Sequence, residues 1–138
     1  MPSSQKTSHL NLNSWSGADK PKMDDFNADN QKLDDAFFKL TPVFGSYVGD
    51  GKPMREIDLG FRPKVCLVFA QGVPLFRMNS ALYSEVEISC AVLTDSGCSL
   101  GASLTDQGFS VRFGSGQYDM EAFCLNTVDI TYLYIALR

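Results

Sequence analysis

The stretch DITYLYIAL, residues 129–137, decides the fold. Side chains of a strand alternate between its two faces, so Thr131, Leu133, Ile135 and Leu137 share one side. Ile130, Tyr132, Tyr134 and Ala136 share the other. Both sides are apolar, which predicts a strand covered on both faces, either central in a sheet or buried between subunits. The same period of two recurs upstream. Val65, Leu67 and Phe69 share a face, as do Val86, Ile88, Cys90 and Val92, and Phe109, Val111 and Phe113 alternate with Ser110 and Arg112. Gly49-Asp50-Gly51, Asp95-Ser96-Gly97 and Gly114-Ser115-Gly116 punctuate these runs as turn signals. Several short strands at this spacing predict a mainly β fold, with residues 44–138 forming a sandwich of two antiparallel sheets.

Before residue 44 the period changes. Met23, Phe26, Asn30, Leu33, Phe37 and Leu40 are spaced three, four, three, four and three apart, a heptad seam on a helix over residues 23–41. Pro21 is tolerated at or before a helix start, and Asp24 and Asp25 suit the positive end of the dipole. Pro42 ends the helix by pushing residue 41 out of the α region. Asp24, Lys32, Asp34, Asp35 and Lys39 keep the opposite face wet. An amphipathic helix of this kind packs either on its own domain or on copies of itself. Asn30 within the stripe favours copies, because a lone Asn at such a position fixes register in a coiled coil. The seam is too short to hold copies together alone, so the head must contribute.

Residues 1–22 are polar and aperiodic and are expected as an extended attachment arm. Leu10, Leu12 and Trp15 are its large apolar side chains. They either fold back on the chain's own core or dock on a neighbouring subunit.

Composition narrows the class. The chain has 138 residues, 44% hydrophobic and 20% charged, which suits one folded domain with a short appendage. No apolar run approaches the roughly 20 residues needed to span a bilayer. The N-terminus lacks the apolar core of a secretory signal, so folding in a cytoplasm is expected. A net charge of -4 with scattered Lys and Arg argues against nucleic acid. Cys66, Cys90, Cys98 and Cys124 are too far apart for a metal knuckle or a redox pair, and the first two together with Cys124 are expected as buried free thiols, the alternative being disulfides, which do not suit a reducing compartment.

Two stretches resemble known families. Leu12-Asn13-Ser14-Trp15, Asp19-Lys20-Pro21 and Asp25-Phe26-Asn27 through Asn30, Leu33 and Asp34 resemble the N-terminal segment of tail-fibre and minor structural proteins of phages and prophages of Gram-positive bacteria. Gly45-Ser46-Tyr47-Val48-Gly49-Asp50-Gly51 and Ile57-Asp58-Leu59-Gly60-Phe61-Arg62-Pro63-Lys64-Val65 are similar to the opening of the β heads in such fibres. More loosely, Gly108-Phe109-Ser110-Val111, Asn126-Thr127 and Ile130 to Ala136 resemble the end of H-type lectin domains. Those are six-stranded sandwiches that form trimers and bind sugars. The resemblance implies a homotrimer attached to a phage tail or baseplate, located in the virion and assembled in the host cytoplasm.

Chemistry-bearing patterns are few. The single histidine, His9, lies in the polar N-terminal segment, which leaves the head without a Ser-His-Asp, Cys-His or His-metal site. Glu85 and Glu87 share a strand face, but no sequence signal pairs them for glycosidase work. No enzyme activity, metal or cofactor is therefore expected. Sugar recognition needs an aromatic face beside carboxylate, amide or guanidinium groups. Arg112, Tyr118 and Asp119 offer these together, and Phe76, Arg77 and Asn79 form a comparable group. The expected function is a tail-fibre or baseplate component whose head binds a cell-surface glycan. The alternatives are a free-standing lectin-like module and a purely structural baseplate or decoration protein.

Overall fold

A computed structural model describes residues 3–79, 85–116 and 120–138. The chain divides into two compact units, Met1–Thr41 and Pro42–Arg138.

In the first unit, β1 (Gln5–Lys6) pairs antiparallel with β2 (Asn13–Ser14), and α1 spans Met23–Leu40. Asp25 starts the helix by accepting from the Lys22 backbone N–H at 3.0 Å. Thr41 ends it by donating its hydroxyl to the Phe37 carbonyl at 2.7 Å. Residues 3–22 are thus not extended throughout: they form a short hairpin, and Asn11 and Asn13 find partners on the unit's own helix. The Asn13 backbone N–H and side-chain amide donate to one Asp29 oxygen at 2.8 and 2.9 Å, and Lys32 donates to the Asn11 carbonyl at 2.6 Å. Trp15 sits against Phe26 with ring centroids 5.8 Å apart. Of the helix stripe, Leu33 is half-buried, whereas Met23, Phe37 and Leu40 are 69–73% exposed. No helix among the described residues is long and apolar enough to cross a membrane.

Among its described residues the second unit forms strands only, in the order β3 (Val43–Val48), β4 (Met54–Asp58), β5 (Val65–Ala70), β6 (Phe76–Asn79), β7 (Glu85–Ile88), β8 (Cys90–Thr94), β9 (Gly97–Cys98), β10 (Ala102–Leu104), β11 (Gly108–Ser115), β12 (Glu121–Cys124) and β13 (Thr131–Leu137). One sheet runs β3-β13-β5-β8-β9, antiparallel throughout. The other runs β10-β11-β12-β7-β6, with β4 also on β11. Here one expectation fails: β7 and β12 pair in parallel.

The expected continuous face from Val86 to Val92 is also corrected. At Ser89 the chain leaves one sheet and enters the other, so Val86 and Ile88 belong to β7 while Cys90 and Val92 belong to β8. The partner segment crosses at the same place, since β5 pairs with β8 and β6 with β7. The two segments form a bent ribbon shared by both sheets. Ser89 donates its N–H to Leu75 and accepts from Ala70, both at 2.9 Å.

Between the sheets lies one core. Tyr47, Cys66, Val68, Leu93, Tyr132 and Ala136 enter from one side, and Ile57, Phe109, Val111 and Leu125 from the other. β13 is a central strand, with Tyr132 and Ala136 inward. Tyr134 fits because its cross-strand partner is Gly45, where an added Cβ would lie 2.1 Å from the phenol oxygen. Among the cysteines, all free, Cys66 is buried as expected, but Cys90 and Cys124 are only half-buried. Burial pushes the Cys66 thiol up to about 12.

Candidate functional site

Beside the ribbon's crossing point lies a cleft of about 210 Å³, lined by Arg77, Glu87, Ser89, Phe113, Cys124 and Tyr132, with Val73, Pro74, Thr127 and Ile130 completing the wall. β6 and β7 bring the charged groups together. Arg77 and Glu87 are direct cross-strand partners, and both Nε and Nη2 of Arg77 lie 2.8 Å from one Glu87 oxygen. Asn79, two residues along the same face, donates its amide to the other oxygen at 3.4 Å. Glu87 is therefore held by donors on both oxygens while its side chain stays 20% exposed.

The remaining wall is apolar with a polar seam. Phe113 and Cys124 are cross-strand partners on β11 and β12, and both face the cleft. The Cys124 thiol is pushed up first by burial and then by the Glu87 carboxylate. The Tyr132 hydroxyl donates to the Cys124 carbonyl at 2.6 Å and accepts from the Thr127 N–H at 3.1 Å. Such a site has one exposed aromatic ring, a guanidinium and a carboxylate on paired strands, with an amide bracing the carboxylate. That combination suits a small, neutral, hydroxyl-rich ligand, which can exchange hydrogen bonds with the ion pair without leaving a bare charge.

The expected site residues separate. Arg77 lines the cleft, and Asn79 is joined to it through Glu87. Phe76, adjacent in the strand, points to the opposite face beside Ile88, Cys90 and Val92. Arg112 likewise alternates with Phe113 and stacks its guanidinium 5.2 Å from the Phe123 ring centroid instead of entering the cleft. Tyr118 and Asp119 lie outside the described residues. Glu87, Phe113, Cys124 and Tyr132 were missed as site residues. Only the pairing of β6 with β7 and of β11 with β12 brings them together, and no local motif announces it.

Among the described residues no three metal-ligating side chains converge. Compared with known protein families, curated proteins and solved structures, the chain matches none.

Proposed function

We propose that this chain is a non-enzymatic component of a phage tail fibre or baseplate whose β head binds a cell-surface glycan in the Arg77–Glu87 cleft. The cleft carries the reading: the exposed Phe113 ring stands with the Arg77 guanidinium and the Glu87 carboxylate, which the Asn79 amide steadies from behind. The sequence resemblance to tail-fibre proteins supplies the virion setting, with the protein assembled in the host cytoplasm. Within it, the first unit attaches to a tail or baseplate protein. The exposed Met23, Phe37 and Leu40 and the polar Asn30 are the seam through which copies join, a trimer in this reading. A glycan array followed by calorimetry tests the head. Specific sugar binding that is lost in Arg77→Ala supports the reading, and an array without any hit overturns it.

A second reading, a purely structural decoration protein, has one observation in its favour. The cleft, about 210 Å³, falls below the roughly 300–1,000 Å³ of most small-molecule sites. A free-standing lectin differs from both in needing no assembly. Copurification with tail or baseplate proteins, lost on deleting residues 1–22, argues for the virion component.

A further inference from the structure

The sheet formed by β3, β13, β5, β8 and β9 has a second face, turned away from the core. The register places every alternate residue of β3, β13, β5 and β8 there, and none of them is Asp, Glu, Lys or Arg. In a chain that is 20% charged, four adjacent strands without a charge on their outer face are out of keeping with a solvated surface. The exposure is substantial: Phe44 70%, Val48 53%, Leu67 38% and Val92 49%. Past Cys90 and Val92 the surface continues into a shallow apolar groove of about 400 Å³, where Phe76 is 61% and Leu100 55% exposed.

We infer that a second copy of this chain packs on that face. With full side-chain areas of roughly 150–200 Å², these six residues leave about 600 Å² of apolar surface. That is the upper end of the largest patch on a typical monomer, and the half-buried residues between them bring it near the ~800 Å² per partner of a standard interface. The absence of charge leaves nothing for a charged partner to pair with. A pleated, uncharged sheet face is complementary to its own copy, because sheets pack face to face at about 10 Å with side chains interdigitating. The first unit independently leaves Met23, Phe37 and Leu40 exposed, so both units carry apolar surface in the single chain. The inference rests on the homo-oligomeric part of the proposed function and deepens it: face-to-face packing pairs the heads two by two, in place of a three-fold arrangement, and the head contributes the cohesion that a helix of 18 residues lacks. It does not depend on what the cleft binds.

Sedimentation of the full chain at micromolar concentration, with Leu67→Glu/Val92→Glu and Phe37→Glu variants, tests it. The expected result is a wild type of at least twice 15.2 kDa and a Leu67→Glu/Val92→Glu variant at 15.2 kDa with cooperative unfolding retained. Cys90 alkylation in the wild type gives a reading that does not depend on a variant folding. Its rate, followed by peptide mass, should rise by roughly tenfold or more when dilution separates the copies. A monomeric wild type overturns the inference, as does Cys90 reactivity that ignores concentration. So does an oligomer that Phe37→Glu dissociates and the sheet-face variant leaves intact. Glycan binding measured on the same variants keeps a failure of the cleft distinct from a failure of the interface.

Discussion

Tyr47 and Tyr132 stack with ring centroids 5.0 Å apart and planes 13° from parallel, and their hydroxyls donate to the successive carbonyls of Leu125 and Cys124. Two phenols from one sheet thereby satisfy the backbone where β12 of the other sheet ends. Replacing either with Phe keeps the ring and orphans a carbonyl, at a cost of about 1–3 kcal/mol. Denaturant unfolding of Tyr47→Phe, Tyr132→Phe and the double variant checks this. The double variant should lose less than the sum, because the rings touch.

The same burial sets the alkaline limit. Burial raises the Tyr47, Tyr132 and Tyr134 phenols and pushes the Cys66 thiol up to about 12. Folded values above the unfolded ones stabilise fully below the ordinary thiol and phenol values, near 8.5 and 10, and fade as pH rises through them. Tm should hold to about pH 8 and fall by pH 11. Burial also raises the Cys90 and Cys124 thiols, so Cys66→Ala should shrink the earlier part of that fall and leave the later part.

The hairpin's hold on the helix should fail in acid. Burial of Asp29 opposes ionisation, but the Asn13 hydrogen bonds and Lys32 together outweigh it and hold its carboxyl below the usual value. A lowered folded value stabilises above the ordinary ~3.9 and is lost as pH falls through it, so loosening belongs below about pH 4. Trp15 is the sole tryptophan and lies against Phe26, so its emission reports the event directly. Asp29→Ala at neutral pH should give the red shift that the wild type shows at pH 3. An unchanged spectrum in both would contradict the clasp.

Gly49 tolerates no side chain. A Cβ there would meet the Thr127 carbonyl oxygen at 1.9 Å, backbone against backbone, and the Gly49 N–H already donates to Ile130. Gly49→Ala should destabilise by about 2–4 kcal/mol, read as a lowered denaturant midpoint. A midpoint within error of wild type would mean that this loop moves aside freely.

Arg77 offers the opposite case. Its side chain is 65% exposed, so the pair with Glu87 contributes about 0.2–1 kcal/mol to stability. Arg77→Ala should therefore leave Tm within a few degrees while abolishing binding to any sugar the array identifies. A large loss of Tm would recast Arg77 as a structural residue.

The mainly β character and the single helix were legible because both rest on local period. Helix bounds were sharp since Pro21, Asp24, Asp25 and Pro42 act within a turn of where they stand. The break at Ser89 was hidden, because Val86 to Val92 keeps its alternation while changing sheets and the change is visible only in partners far along the chain. Site residues suffered most. Phe76 with Arg77, and Arg112 with Phe113, are neighbours in sequence and opposites in a pleat, so a cluster read along the chain splits between two faces. The Arg77–Glu87 pair depends on register, which no property of either residue reveals.

Ser89 is both the corner of the ribbon and part of the cleft wall. Its backbone is committed to Ala70 and Leu75, so the corner cannot shift without unpicking both sheets at once. β6, which carries Arg77 and Asn79, lies on the outer edge of its sheet and bears no such obligation. Ligand preference can thus be rewritten along that edge, one side chain at a time, against an immovable cornerstone.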